Sequence, residues 1–208
     1  ASDIKKAPYD GISAKDLAER MLMTARTMVE KEPNYSYVTA RLLLNNMENE
    51  VGAFLDIEER EDRSKMYIEA LEKTVDKGIE LDFLNEELKS YDLIKLGKAI
   101  LQERDFQFTY LGLQTLYDRY FITCDEIRYE LPQVFFMRVA MGLALDEENK
   151  NDRAIEFYKL LSSFDYMSST PTLFNSGTKR PQLSSCYLTT VPDDLSGIYG
   201  AIRDNALL

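Results

Sequence analysis

Apolar residues recur at helical spacing through most of the first 164 residues, and this periodicity constrains the fold more than any other feature. The first such segment follows Ser13, which stands at an N-cap position, and it ends at Glu32-Pro33. Further segments of this kind cover about 34–51, 67–77, 132–145 and 151–164. Gly78 is predicted to follow the third helix as its C′ residue. The spacing therefore predicts a mainly α-helical chain.

Shorter elements interrupt the long helices. Brief helices are predicted over 82–88 and 90–100, each with its first residue as N-cap. Residues 122–129 have the pattern of a short β-hairpin that turns at Asp125-Glu126. Cys124 lies in this hairpin, and its surroundings favour a structural role as a small hydrophobic side chain.

The composition changes after Asp165. Residues 166–192 are poor in carboxylates and rich in Ser, Thr, Pro and Gly. Within them, 183–191 has the β-branched content of a strand, and Asp193-Asp194 then predicts the start of a last helix. This helix reaches the end of the sequence without a stop signal, so we expect the chain to be a fragment of a longer polypeptide.

Charge and residue usage exclude several classes of function. The chain has 36 Asp and Glu against 25 Lys and Arg, a net charge of −11, which argues against nucleic acid and anionic membranes as partners. It has no histidine, which excludes Ser-His and Cys-His nucleophiles and His-based metal sites within these residues. No apolar run reaches the length of a membrane span. With only two cysteines, whose pairing stays open, we expect a cytoplasmic protein.

The hydroxyl-rich stretch is the first candidate for chemistry. Five hydroxyl side chains lie within 168–177, and Ser184 and Ser185 add two more beside Cys186. Neutral donors of this kind suit an anionic small molecule in an acidic protein. The same composition is also typical of plain loops, so both interpretations stay open at this point.

The motifs themselves resemble a known family. Residues 169–177 (STPTLFNSG) followed by 182–188 (QLSSCYL) resemble the start of the catalytic barrel of ribonucleotide reductase large (α) subunits. The similarity continues, in order along the chain, over 9–12 (YDGI), 34–42 (NYSYVTARL), 106–121 (FQFTYLGLQTLYDRYF) and 131–142 (LPQVFFMRVAMG). The pattern is most similar to bacterial class I enzymes that reduce ribonucleoside diphosphates.

This resemblance implies a fold and a domain order. It implies a mainly α fold: a helical N-terminal domain with one short β-hairpin, leading into the first strand and helix of a truncated ten-stranded α/β barrel. The implied domains are the tail of an ATP-cone-like regulatory domain and the following helix (1–50), the helical N-terminal domain (51–165) and the barrel start (166–208). Ala14 and Asn49 stand where such a cone offers a hydroxyl and a lysine, so we expect no ATP binding by 1–50.

The resemblance also implies roles for individual residues. Cys186 corresponds to one of two cysteines that reduce the ribose and become a disulfide. Thr172, Ser185 and the Cys186 backbone correspond to contacts with the nucleotide substrate. The implied contacts with an effector deoxynucleotide are Asp193, Asp194 and Leu195. The two aspartates also suit simple N-capping of the last helix, and both roles can hold at once.

The implied cofactors and partners lie outside this chain. The resemblance implies no cofactor or metal bound here, a metal-containing radical cofactor in a separate β subunit, and a thioredoxin- or glutaredoxin-type reductant. It further implies deoxynucleoside triphosphate effectors and a homodimer of the parent α chain. The radical-forming cysteine and the partner of Cys186 would lie beyond Leu208, so we expect the fragment alone to be inactive. The alternative is a non-catalytic helical scaffold or interaction module with a Ser/Thr-rich tail.

Overall fold

The long helices begin and end close to where the apolar spacing places them. The computed structural model describes residues 11–58 and 61–208. The α-helices are α1 (Ala14–Thr27), α2 (Tyr35–Phe54), α3 (Arg63–Glu80), α4 (Leu93–Lys98), α5 (Tyr110–Arg119), α6 (Pro132–Leu143), α7 (Lys150–Ser162), α8 (Thr170–Asn175) and α9 (Leu195–Leu207). Two 3₁₀ helices, Glu86–Ser90 and Gln102–Gln107, and two strands, β1 (Thr123–Cys124) and β2 (Ile127–Arg128), complete the described elements. The mainly α fold with one hairpin is confirmed.

Local capping explains where several helices begin. The Ser13 side chain accepts the backbone N–H of Asp16 at 3.0 Å, which confirms it as the N-cap of α1. The side chain of Asp62 accepts N–H groups of the first turn of α3 in the same way. The predicted caps of the brief helices are wrong: Asn85 caps the first 3₁₀ helix and Asp92 caps α4. Asp82 instead has a φ of +63° and belongs to a turn.

Gly78 does not end α3, because the helix continues to Glu80. A Cβ atom on Gly78 would lie 2.4 Å from Cδ1 of Leu84, so the glycine makes room for a buried side chain. The N–H groups of Phe83 and Leu84 donate to the Gly78 carbonyl at 2.9 and 3.0 Å. The prediction failed because Gly78 makes room for Leu84, a residue that lies beyond the end of α3 in the sequence.

Helix α6 is the centre of the core. Residues 132–141 are all buried, including Gln133 and Arg138, and α7 packs along this helix. A helix that is apolar nearly all round is expected to be enclosed on every side. Fully burying a single Phe, Val or Met side chain contributes about 2 kcal/mol to folding. This core fixes the platform on which the later segments dock.

A buried polar network connects four elements around Asp105. The Tyr67 hydroxyl donates to Asp105 Oδ2, and Arg63 Nη2 pairs with the same oxygen at 2.8 Å. Gln133 Nε2 donates to Asp105 Oδ1 at 2.9 Å, and Gln133 Oε1 accepts from the Tyr158 hydroxyl at 2.9 Å. Burial raises the pKa of the Asp105 carboxyl to about 6. The carboxyl of Asp105, in the second 3₁₀ helix, thus links α3 to α6, and Gln133 extends the network to α7.

The β-hairpin is confirmed at the predicted turn. Thr123 pairs with Arg128 and Cys124 with Ile127 in antiparallel register. The turn residues Asp125 and Glu126 have φ values of +47° and +67°, as a two-residue hairpin turn requires. Cys124 is free and half-buried, and it packs against the core in the structural role expected of it.

The segment after Asp165 differs from the sequence prediction in two ways. Residues 170–175 form the short helix α8, which lay in a stretch expected to be turn-rich. The strand predicted over 183–191 is absent, because the described residues offer it no neighbouring strand with which to pair, and 184–196 are exposed. Helix α9 begins after Asp194, as predicted.

Candidate functional site

Helix α8 places the first hydroxyl-rich residues against the core. Pro171 lies in its first turn, where the lack of a backbone N–H costs nothing. Leu173 is buried, whereas the adjacent Thr172, about 100° further around the helix, is half-buried. One short helix therefore carries a packing side chain next to a candidate substrate contact.

Arg138, a fully buried residue of α6, holds the C-terminal end of α8. Its Nε and Nη2 contact the two carboxylate oxygens of Glu130 at 2.7 and 3.1 Å. Its Nη1 donates to the carbonyl of Ser176 at 2.7 Å and to that of Leu173 at 3.3 Å. Glu130 also accepts the N–H of Ile122 at 2.9 Å, so the pair joins the start of the hairpin to α8. Buried ion pairs persist when hydrogen bonds satisfy their remaining donors, as they do here.

Two glycines allow the end of α8 to lie directly on α6. A Cβ atom on Gly142 would lie 2.0 Å from the backbone nitrogen of Gly177. Gly177 itself has a φ of +78°, which disfavours other residues. The buried Ser176 hydroxyl donates to the Val139 carbonyl at 2.7 Å. The backbone of 176–177 is therefore fixed against a rigid helix.

The chain after Gly177 pairs with the turn that follows α3. Thr178 forms a single antiparallel bridge with Leu84, and the N–H of Asn85 donates to the Gly177 carbonyl at 3.0 Å. The N–H of Lys179 donates to the carbonyl of Phe83 at 2.9 Å. This pairing directs the chain along the surface toward 182–186.

Thr172 connects α8 to the segment that leads to the cysteine. Its hydroxyl donates to the carbonyl of Leu183 at 3.3 Å. Asn175 Nδ2, one turn further along α8, donates to the carbonyl of Gln182 at 2.7 Å. Thr172 is thus held to the backbone that precedes Ser185, although no described hydrogen bond joins the side chains of these two predicted substrate contacts.

Cys186 is free and exposed. The hydroxyl of Ser185 lies 3.8 Å from its sulfur. Within the part of the chain that the structure describes, the thiol is not enclosed by the hydrophobic core.

The predicted effector contacts lie at the start of α9. Asp194 Oδ1 accepts the N–H of Gly197 at 2.9 Å, which confirms its capping role. Asp193 and Leu195 are exposed, and Leu195 retains 73% of its surface. Among the described residues, no hydrogen bond or ion pair connects these three to Thr172 or Cys186.

A cleft of about 670 Å³ lies beside this region. It is bounded by the end of α5, the start of the hairpin and residues 174–180. Arg119 and Arg180 line it together with the rings of Phe83 and Phe174. None of the predicted site residues lines this cleft, and the described residues contain no group of three His, Cys, Asp or Glu side chains suited to a metal ion.

Arg138 and Glu130 are not among the site residues predicted from the sequence. The available signal was a lone arginine inside an apolar helix, FFMRVAM. A charge at such a position needs a buried partner, and the partner here lies eight residues earlier in the chain.

Comparison with known proteins first gives the class of domain. Residues 106–181, from the second 3₁₀ helix through α8 and the turn after it, match the family model described as the all-alpha domain of ribonucleotide reductase. This is the part of the chain that contains α6, the Arg138–Glu130 pair and Thr172. No helix in the described residues combines the length and apolar character needed to cross a membrane.

Individual relatives extend the match over nearly the whole chain. The chain is 48% identical to the ribonucleoside-diphosphate reductase subunit alpha of Chlamydia muridarum over 202 residues, which is 96% of this chain and 19% of the relative. It is 39% identical to the subunit alpha of Helicobacter pylori and 34% identical to the large subunit of Danio rerio, each over 96% of this chain and 24% of the relative. The chain is thus similar over nearly its whole length to ribonucleotide reductase large (alpha) subunits, and it spans about a fifth to a quarter of the length of these relatives.

Proposed function

We propose that this chain is part of a ribonucleoside-diphosphate reductase that converts ribonucleoside diphosphates to deoxyribonucleoside diphosphates for DNA precursor synthesis. The observation that carries the proposal is the exposed Cys186 thiol at the end of a segment that hydrogen bonds hold to α8. The names of the relatives, matched over 96% of the chain, support the same activity.

In this proposal Cys186 supplies reducing equivalents together with a second thiol outside this chain. Two thiols that become a disulfide release two electrons and two protons, which suffice to replace the ribose 2′-hydroxyl by hydrogen with loss of water. A separate metal-containing β subunit generates the radical that starts the reaction. A thioredoxin- or glutaredoxin-type protein then reduces the disulfide by thiol exchange, for which the exposed sulfur is suited.

Thr172, Ser185 and the Cys186 backbone contact the substrate in this proposal. Hydroxyl and N–H donors suit a diphosphate, because they donate hydrogen bonds to phosphate oxygens and lie in a segment poor in carboxylates. The thiol and these donors lie on one continuous stretch that α8 fixes in place. A cytoplasmic location forms part of the same proposal.

Asp193, Asp194 and Leu195 bind an effector deoxynucleoside triphosphate in this proposal. Carboxylates accept hydrogen bonds from sugar hydroxyl and base amino groups, whereas they repel phosphates. Residues of α9 further support a homodimer of the parent chain, because Ile198, Tyr199 and Ile202 form an exposed apolar stripe at helical spacing.

The two cysteines provide a matched test in the full-length protein that contains this chain. We expect Cys186→Ser to abolish dithiol-dependent formation of deoxynucleoside diphosphates, since serine cannot form the disulfide. Cys124→Ser should retain turnover, because Cys124 packs against the core. Product formation at the wild-type rate by Cys186→Ser would refute the proposed role, and circular dichroism would verify that both variants fold.

A further inference from the structure

We propose that Arg138 is a positioning residue for the substrate-contacting segment, acting through the C-terminal end of α8. The guanidinium of Arg138 fixes α8 relative to the core, and α8 in turn fixes Thr172 and the backbone that leads to Cys186. This inference rests on the function proposed above, since it assigns Arg138 a role at the same site.

The orientation of the guanidinium is determined on every side. Arg138 is fully buried, and its donors reach both oxygens of Glu130 and the carbonyl of Ser176. Its charged end also lies 5.1 Å from the centre of the Phe135 ring. An arginine presents its donors in a rigid planar fork, so partners on both edges leave it one position.

Helix α8 depends on this arginine for its position. It has only six residues, and a helix this short is not stable by itself. The last carbonyls of a helix lack partners within the helix. Here the carbonyls of Leu173, Phe174 and Ser176 all accept from Arg138 Nη1, at 3.3, 3.4 and 2.7 Å. Arg138 therefore supplies the cap that the sequence of α8 does not.

Movement of α8 would displace both parts of the proposed site. Thr172 lies in α8, and its hydroxyl contacts the Leu183 carbonyl. Cys186 follows Leu183 by three residues, a span of at most about 11 Å. The contact from Asn175 to Gln182 adds a second link between α8 and this stretch. A shift of the helix end thus changes where the substrate hydroxyl contact lies relative to the thiol.

The test compares single and double variants in the full-length protein, with CDP as substrate. Arg138→Lys keeps a charge opposite Glu130 but cannot reach both Glu130 and Ser176. We expect it to raise KM for CDP about tenfold with a smaller effect on kcat, because the contact from Thr172 is displaced. Thr172→Ala should raise KM as well. Both changes remove the same substrate contact, that of Thr172, so their effects should not multiply. The KM of the double variant should lie within about twofold of the larger of the two single-variant values.

A matched arginine serves as control. Arg104 donates to the carbonyl of Lys159 at 2.8 Å and so caps α7, which carries none of the proposed site residues. Arg104→Lys should leave KM unchanged. A role of Arg138 in stability alone would lower the active fraction, and hence kcat, and would leave KM unchanged. An unchanged KM in Arg138→Lys would therefore overturn the inference, and so would effects on KM that multiply in the double variant, since the two residues would then act independently.

A second variant keeps the inference testable if Arg138→Lys does not fold. Ser176→Ala removes the hydroxyl that anchors the end of α8 on the Val139 carbonyl and leaves the ion pair intact. It should raise KM for CDP by about threefold. An unchanged KM would overturn the inference while Cys186→Ser stays inactive, whereas an active Cys186→Ser would refute the proposed function itself.

Discussion

The buried carboxyl of Asp105 makes the stability of this chain depend on pH in an unusual direction. Burial raises its pKa from the usual 3.8 to about 6, against the opposing effects of Tyr67, Gln133 and Arg63. The folded state therefore binds a proton between about pH 4 and pH 6 that the unfolded state has lost. Stability contributed by this group must fall as the pH rises through that window and stay constant above it.

The size of the effect follows from the shift of about two units. At about 1.4 kcal/mol per unit, the free energy of unfolding falls by up to about 3 kcal/mol between pH 4 and pH 7. Asp105→Asn removes the titration and keeps the shape of the side chain. The unfolding free energy of the wild type minus that of Asp105→Asn should therefore fall by this amount as the pH rises through the window. Urea denaturation followed by circular dichroism at each pH measures it.

A control of opposite sign is available at the start of α3. The backbone N–H of Lys65 lowers the pKa of the exposed Asp62 carboxyl, so its contribution to stability is lost as the pH falls. Wild type compared with Asp62→Asn should show the reverse trend. If the unfolding free energy of the wild type minus that of Asp105→Asn stays constant or grows with pH, the ion pair with Arg63 outweighs burial in setting the pKa of Asp105, and the reasoning is wrong.

Three further predictions concern the site region. Glu130→Ala leaves Arg138 charged and unpaired in the core, and it should lower the free energy of unfolding by about 3–5 kcal/mol in urea titrations. Gly142→Ala places a methyl group against the backbone of Gly177, and it should lower the thermal midpoint, with a cost of at least about 1–3 kcal/mol. In the wild-type chain, the Cys186 thiol should be alkylated by iodoacetamide faster than the other cysteine, as resolved by peptide mass spectrometry.

Each of these predictions has a control in the same chain. Glu147 forms only an exposed pair with Arg153, so Glu147→Ala should change stability by less than about 1 kcal/mol. A Cβ atom on Gly200 would meet no neighbouring atom within 4 Å, so Gly200→Ala in α9 should be neutral or stabilising. The packing described would be contradicted if Glu130→Ala and Glu147→Ala had equal effects, or if Gly142→Ala and Gly200→Ala did. Equal alkylation rates of Cys124 and Cys186 would contradict it as well.

The sequence predicted best those elements whose signals are local. Ser13 caps α1 through an oxygen three residues from its donor, and Pro132 begins α6 because its fixed φ suits a first turn. The hairpin turn at Asp125-Glu126 likewise depends on two adjacent residues. Such features need no knowledge of the rest of the fold.

Predictions failed where a residue serves a distant contact. Gly78 resembles a helix terminator, but its lack of a side chain accommodates Leu84. The strand expected over 183–191 needs a neighbouring strand, and the described residues place none beside it, so the start of the barrel stays a prediction. For the candidate site, the resemblance placed Thr172, Ser185 and Cys186 on one stretch, whereas the arginine that anchors α8 became visible only in the packing.

Because the Arg138–Glu130 pair contacts two stretches that are distant in sequence, these stretches would have to be exchanged together in a chimera. Glu130 contacts the start of the hairpin through Ile122, and Arg138 contacts the end of α8. A chimera that grafts residues 166–192 from a relative onto this chain would therefore need residues 122–142 from the same donor. Without them, the grafted residues 166–192 would pack against an Arg138–Glu130 pair whose position suits a different backbone.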